Sequence, residues 1–185
     1  MEKKELKPTL PKDEKEIFEK GFEGNIAAGK KFVTDAHSMF LAAASPAGML
    51  FKKVGRPGVK PVVDASILAV WNSTEKRKQI AAQFIGCGKV AEDTIVAVVR
   101  DEKNRVAVFN PWILKFILVV TQADEFAFGP TNQYCYDPMA VLREGKMVGA
   151  IMPMRYFEDD LAAYDLTGPA VPLDGGIDAV SANLG

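Results

Sequence analysis

The sequence predicts an α+β fold in which an antiparallel sheet packs on buried helices, and three stretches carry that prediction. Thr94 to Asp101 and Arg105 to Phe109 are rich in β-branched residues and flank the polar Glu102, Lys103 and Asn104, the pattern of an antiparallel hairpin. Asn110 and Pro111 then offer an N-cap and a first-turn proline to a helix whose body, Trp112 to Thr121, is apolar nearly all round and so must be covered on most sides. Beyond it Glu125 to Gly129 alternates as a strand, and Pro138 to Arg143 and Met147 to Met152 read as two more around a turn at Glu144, Gly145 and Lys146. From Val106 the predicted order is β-α-β-β-β.

The elements before this block follow from weaker patterns. Pro11 to Gly21 reads as a short helix, with Asp13 and Glu14 at its positive end and Gly21 closing it. Lys31 to Leu41 reads as two strands about a turn at Thr34, Asp35, Ala36 and His37. Ser45 to Pro61 is rich in proline and glycine and marks connecting structure, with a short strand at Met49 to Lys53 and an internal boundary near 45–61. In Val63 to Ile85, Ile67, Leu68 and Trp71, then Ile80, Ala81 and Phe84, recur at helical spacing, and Asn72, Ser73 and Thr74 suggest a break and a fresh N-cap; the expectation is two helices joined at Asn72. Residues 1–156 then form the folded domain. Residues 157–185, with Glu158, Asp159, Asp160 and later Asp174, Gly175 and Gly176, read as a polar tail that is poorly ordered or depends on a partner.

Composition narrows the function. The chain has 185 residues, 48% hydrophobic and 25% charged, so it can bury a full core, and 23 basic residues against 24 acidic leave no global field for nucleic acid or an anionic membrane. The N-terminal residues are rich in Lys and Glu where a secretory signal needs an apolar core, and the longest apolar stretch, Trp112 to Val120, contains Lys115 and is too short to cross a bilayer. The expectation is a cytoplasmic protein with no membrane partner, whose Cys87 and Cys135 are buried, reduced thiols.

The core helix opened by Phe109, Asn110 and Pro111, together with the ending Met152-Pro153-Met154-Arg155-Tyr156, resembles the last half-domain of the bacterial DNA sliding clamp family, in which the helix opens on an FNP-like start and the chain finishes on MPMRL. Thr34-Asp35-Ala36-His37-Ser38-Met39 is similar to that family's TDGHRL turn, with Ala for Gly and Ser-Met for Arg-Leu. The resemblance implies DNA-clamp-like half-domains of β-α-β-β-β order and a peptide-docking role with no chemistry and no cofactor. In the family the two segments meet in a hydrophobic pocket that accepts linear peptide motifs of replication and repair proteins. Carried over, that pocket has His37, Ser38 and Met39 on one wall and Met152, Pro153, Met154, Arg155 and Tyr156 on the other. The family's DNA contacts, made by basic residues on helices, would fall to Lys76, Arg77 and Lys78, a run of three basic residues not interleaved with acids. Double-stranded DNA would be the second partner of such a processivity factor. This chain is too short to close a ring alone, so a ring would need a homo-oligomer, and a shortened relative of phage or mobile-element type fits the length.

Two rival classes compete. A small hydrolase or transferase could use Asp35 to orient the one histidine, His37, though no nucleophile elbow or oxyanion loop accompanies them. A self-assembling structural protein could pair exposed strand edges between subunits. A metal site from Asp35, His37, Cys87 and Cys135 lacks the close pairs that structural zinc requires, so no metal is expected. Met139 and Met147 read as core filling, while Met152 and Met154, two apart, are expected to share one strand face.

Overall fold

The computed structural model describes residues 2–6, 22–23, 25–29, 31–45, 51–52, 64–91, 94–130, 137–156 and 158–170. Its strands are β1 (Lys4–Glu5), β2 (Phe22–Glu23), β3 (Asn25–Ala27), β4 (Phe32–Thr34), β5 (Ser38–Leu41), β6 (Phe51–Lys52), β7 (Ile80–Ala91), β8 (Thr94–Asp101), β9 (Val106–Phe109), β10 (Glu125–Phe128), β11 (Met139–Arg143), β12 (Lys146–Ile151) and β13 (Tyr164–Asp165). The helices are α1 (Asp64–Lys76), α2 (Pro111–Thr121) and the short α3 (Glu158–Ala162). The fold is α+β, dominated by one nine-stranded sheet in the order β3-β4-β5-β12-β11-β10-β7-β8-β9. Each neighbouring pair in it is antiparallel.

The segment from β9 to β12 runs strand, helix, strand, strand, strand. Asn110 caps α2, its Oδ1 accepting from Trp112 N at 2.9 Å and Ile113 N at 3.2 Å, and Gln122 ends the helix in the left-handed region at φ 51°. The all-round apolar character of α2 has a direct structural cause: the sheet curves about it, so that the helix touches β5 and β12 on one arm and β8 on the other. Leu114, Phe116, Ile117 and Val120 pack there with Phe40, Phe109, Phe126 and Val141 as the main core. Gly149 lets α2 close onto β12, because a Cβ there would stand 2.9 Å from Ile117 Cδ1 and 3.0 Å from the Met39 carbonyl oxygen.

The opposite, outer face of the sheet carries two further apolar clusters. Over β4, β5, β12, β11 and β10 lies α1, inserting Ile67 and Trp71, with the Trp71 ring 4.7 Å from that of Phe32. Over β7, β8 and β9 lie Leu6, Met154, Tyr156, Leu161 and Leu166, which cover Ile85, Val96, Val98 and Val108. Here β1 and β13 pair in parallel, Arg100 donates to the carbonyls of Leu166 and Gly168, and the Tyr164 hydroxyl donates to the Lys89 carbonyl. Residues 158–170, part of the stretch whose composition suggested an unstructured tail, are therefore bound to the sheet; the rest of that tail lies outside the described residues.

Two further expectations are corrected. Asp64–Lys76 is one helix with no break at Asn72, and Ile80 to Phe84 belongs to strand β7. Burial of Ile67, Trp71 and Thr74 at helical spacing carries α1 through Asn72, and the hydroxyls of Ser73 and Thr74 both donate back to the Val70 carbonyl instead of starting a new cap. In β7, Ile80, Ala82 and Phe84 are buried while Ala81 and Gln83 are exposed, a period of two. The hairpin over Lys31 to Leu41 forms as β4 and β5. β6 falls within the short strand expected at 49–53, the helix expected over 11–21 lies outside the described residues, and the sheet is continuous from β3–β5 to the strands after 45–61.

Candidate functional site

A row of small side chains prepares the site. Ala127, Ala140 and Ala150 are successive cross-strand partners on β10, β11 and β12, and the row continues through Met39 on β5 to Thr34 on β4. Methyl groups in place of larger side chains make a shallow trough on the outer face, and Ile67 and Trp71 of α1 settle into it. Asp64 ties the helix start to the β3–β4 turn, its Oδ1 accepting from Ala28 N at 2.9 Å. Towards the ends of β5 and β12 the helix does not fill the trough, and a groove with a cavity volume of about 80 Å³, open to solvent, is left. Its floor is Met39, Ala150 and Ile151; one wall is Ser66, Ile67 and Val70 of α1; the other sides are the turn from Thr34 to Ser38, Pro138 and Met152.

The turn is built from its own polar groups. Asp35 Oδ1 accepts from His37 N at 2.9 Å, Ser38 N at 2.7 Å and Ser38 Oγ at 3.0 Å. Thr34 Oγ1 donates to the Ser38 carbonyl at 2.7 Å and accepts from Ala36 N at 3.1 Å. Ala36 has φ 75°, a left-handed conformation that favours glycine, at the position where the resembled TDGHRL turn carries Gly. The His37 carbonyl then accepts from Met152 N at 2.7 Å, which brings the turn and the end of β12 together.

Of the residues expected in a pocket, His37, Ser38, Met39 and Met152 line one groove. Met154 and Tyr156 do not: they pack in the cluster over β7–β9, and Arg155 is exposed. The shared strand face expected for Met152 and Met154 is thus corrected. Pro153 has no N–H to continue the ladder, so Met152 N bonds His37 on one side while Met154 N bonds the Val108 carbonyl at 2.8 Å on the other. Met152 is left 39% exposed at the groove mouth.

The basic cluster is not free of acids in space. Arg77 NH1 lies 3.1 Å from Asp137 Oδ2, while Lys76 and Lys78 are exposed. The exposed face of α1 carries Asp64, Glu75 and Lys76, and Lys115 of α2 is 4% exposed, so neither helix presents a basic stripe of the kind phosphates require.

The acid–base reading finds little support in this geometry. Asp35 spends its bonds on the main chain of the turn and on Ser38, leaving the exposed His37 ring unoriented by it. Among the described residues no group of three His, Cys, Asp or Glu could hold a metal. Burial pushes the Cys87 thiol up to about 12, which makes it an inert core group; Cys135 lies outside the described residues. No helix among the described residues is long and apolar enough to cross a membrane.

Sequence reasoning missed Ser66, Ile67, Val70 and Pro138 as groove residues. The helical spacing of Ile67 and Trp71 marked a buried face, but which strands that face would meet depends on the register that aligns Ala127, Ala140 and Ala150. Comparison with protein-family models, with curated proteins and with solved structures finds no match.

Proposed function

We propose that this chain is a docking module of sliding-clamp type that captures a short linear peptide in the groove between α1, β5 and the end of β12. The observation that carries the reading is the meeting of two segments distant in sequence, Thr34 to Met39 and the end of β12, through the hydrogen bond from Met152 N to the His37 carbonyl. These are the segments that the sequence resemblance pairs in a peptide pocket.

The chemistry of the groove favours an apolar anchor. Met39, Ile67, Val70, Ala150 and Met152 supply most of its apolar side chains, and the Thr34 and Ser38 hydroxyls are already bonded within the turn. A cavity volume of about 80 Å³ suits a single apolar side chain and is far too small for a folded surface. Burial of such a side chain is worth about 1.5–3 kcal/mol, so the anchor alone gives a weak affinity, roughly millimolar or weaker. Methionine at both floor and mouth can repack around different anchors, which fits several partners of one motif class. Replication and repair proteins are the partners the resemblance suggests. The DNA-encircling half of that resemblance has less physical support, because among the described residues neither α1 nor α2 has a basic face.

The test is selection of random short peptides on the full chain, followed by titration calorimetry with the winners. Met152→Ala should weaken binding by about five-fold or more, and Met154→Ala should leave affinity unchanged. A library that yields no binder, or binders indifferent to Met152, contradicts the reading.

A further inference from the structure

We infer that Arg77 is a positioning residue for the groove, holding two of its walls in register through Asp137. Arg77 follows directly on α1, the helix whose Ser66, Ile67 and Val70 form one wall. Asp137 directly precedes Pro138, which forms another. The guanidinium Nη1 is buried and lies 3.1 Å from Asp137 Oδ2, an ion-pair contact without hydrogen-bond alignment, and the side-chain stem lies over Gly129 at the end of β10, where a Cβ would stand 3.1 Å from Arg77 Cδ. A side chain at Gly129 would crowd the arginine stem where it crosses the end of β10. One ion pair thus ties the exit of α1 to the Pro138 wall, while the facing turn is held separately by Asp35 and the bond from Met152 N to His37. This tie acts with the packing of Ile67 and Trp71 to set the width between helix and strand ends.

The pair has side-chain exposures of 29% and 39%, so its strength is screened by salt and it contributes little to global stability. Its consequence is local. A groove lined almost wholly by apolar groups acquires a width, and hence an anchor affinity, that depends on ionic strength and on one charge pair outside the lining. This inference rests on the docking reading only for its effect on binding; the effect on groove geometry stands by itself.

The experiment uses full-length protein labelled with ¹³C at the methionine methyls, without peptide, as wild type, Arg77→Gln and the charge-exchanged pair Arg77→Asp with Asp137→Arg. Arg77→Gln should shift the Met39 and Met152 methyl signals and leave Met154, on the other cluster, in place; high salt should move the wild-type signals in the same direction. The exchanged pair should return them towards wild type, which loss of packing alone would not. In parallel, a selected peptide should bind Arg77→Gln about three- to five-fold more weakly, with Lys76→Ala as an unaffected control. Met39 and Met152 signals indifferent to Arg77→Gln and to salt overturn the inference. Signals that respond in a protein that binds no peptide retain the positioning role and sink the docking reading instead.

Discussion

The outer face of the sheet is covered in two different ways, and the contrast locates the site. Over β7, β8 and β9 the cover is made of several short pieces, Leu6, residues 154–156 and residues 158–170 with the one-turn α3, which leave Ile85, Val96, Val98 and Val108 buried. Over β10, β11, β12 and β5 the cover is a single rigid helix, which meets the sheet along Ile67 and Trp71 and departs from it near the strand ends. Short pieces of chain adapt piece by piece to a twisted sheet; a long straight helix on the same surface leaves a wedge of space. The groove lies in that wedge, and Met152 and Met154, two residues apart, belong one to each region.

The largest effect is expected from removing the helix cover. Trp71→Ala deletes a ring that is 4% exposed and packed on Phe32; it should cost about 3–5 kcal/mol and collapse the groove, read by chemical denaturation and by loss of peptide binding.

The strap cover is broken at Gly88, where a Cβ would stand 2.6 Å from Leu6 Cδ2 and 2.9 Å from Tyr164 Cε1. Gly88→Ala should cost about 1–3 kcal/mol and raise protease cleavage within 158–170, yet leave peptide affinity near wild type. Loss of both covers together would contradict their independence.

On the other face of the sheet from both covers lies the common core, and Cys87 reports on it. Its thiol ionises at 9.0 when unfolded and at about 12 when buried, so between those values the unfolded chain has lost a proton that the native chain keeps. The sign is therefore a loss of stability as pH rises above 9, by about 1.4 kcal/mol per pH unit, and Cys87→Ala should flatten that slope in denaturation measured from pH 8 to 10.5.

The smallest effect is at the turn. Ala36→Gly relieves a left-handed alanine at about 1–2 kcal/mol against a glycine entropy cost of about 0.5–1 kcal/mol, a net gain of about 0.5 kcal/mol in melting or denaturant midpoints; a loss would mean that the turn is held in another conformation.

What the sequence made legible follows the range of the interactions involved. The hairpin of β8 and β9 and the Asn110-capped α2 depend on residues a few positions apart, so pattern and cap chemistry were enough to find them. The supposed break at Asn72 failed because Asn, Ser and Thr suit both a cap and a helix interior, and the deciding factor was burial of Trp71 and Thr74 against distant strands. For the site, the turn of Thr34 to Met39 and the residue Met152 could be paired only through a family resemblance. The helix wall was hidden because it depends on which alanines lie side by side across three strands. Arg77 was misread for the same reason, since Asp137 neighbours it in space and not in sequence.

The most direct test of the docking account is a methyl NMR titration of the full chain, labelled at methionine, with a peptide selected from the library. The account predicts that Met39 and Met152 shift in a saturable manner, with contacts from the peptide's apolar anchor to both, while Met154 stays fixed. Saturable binding that moves Met154 and leaves Met39 and Met152 unchanged would place the peptide on the other cover and contradict the account.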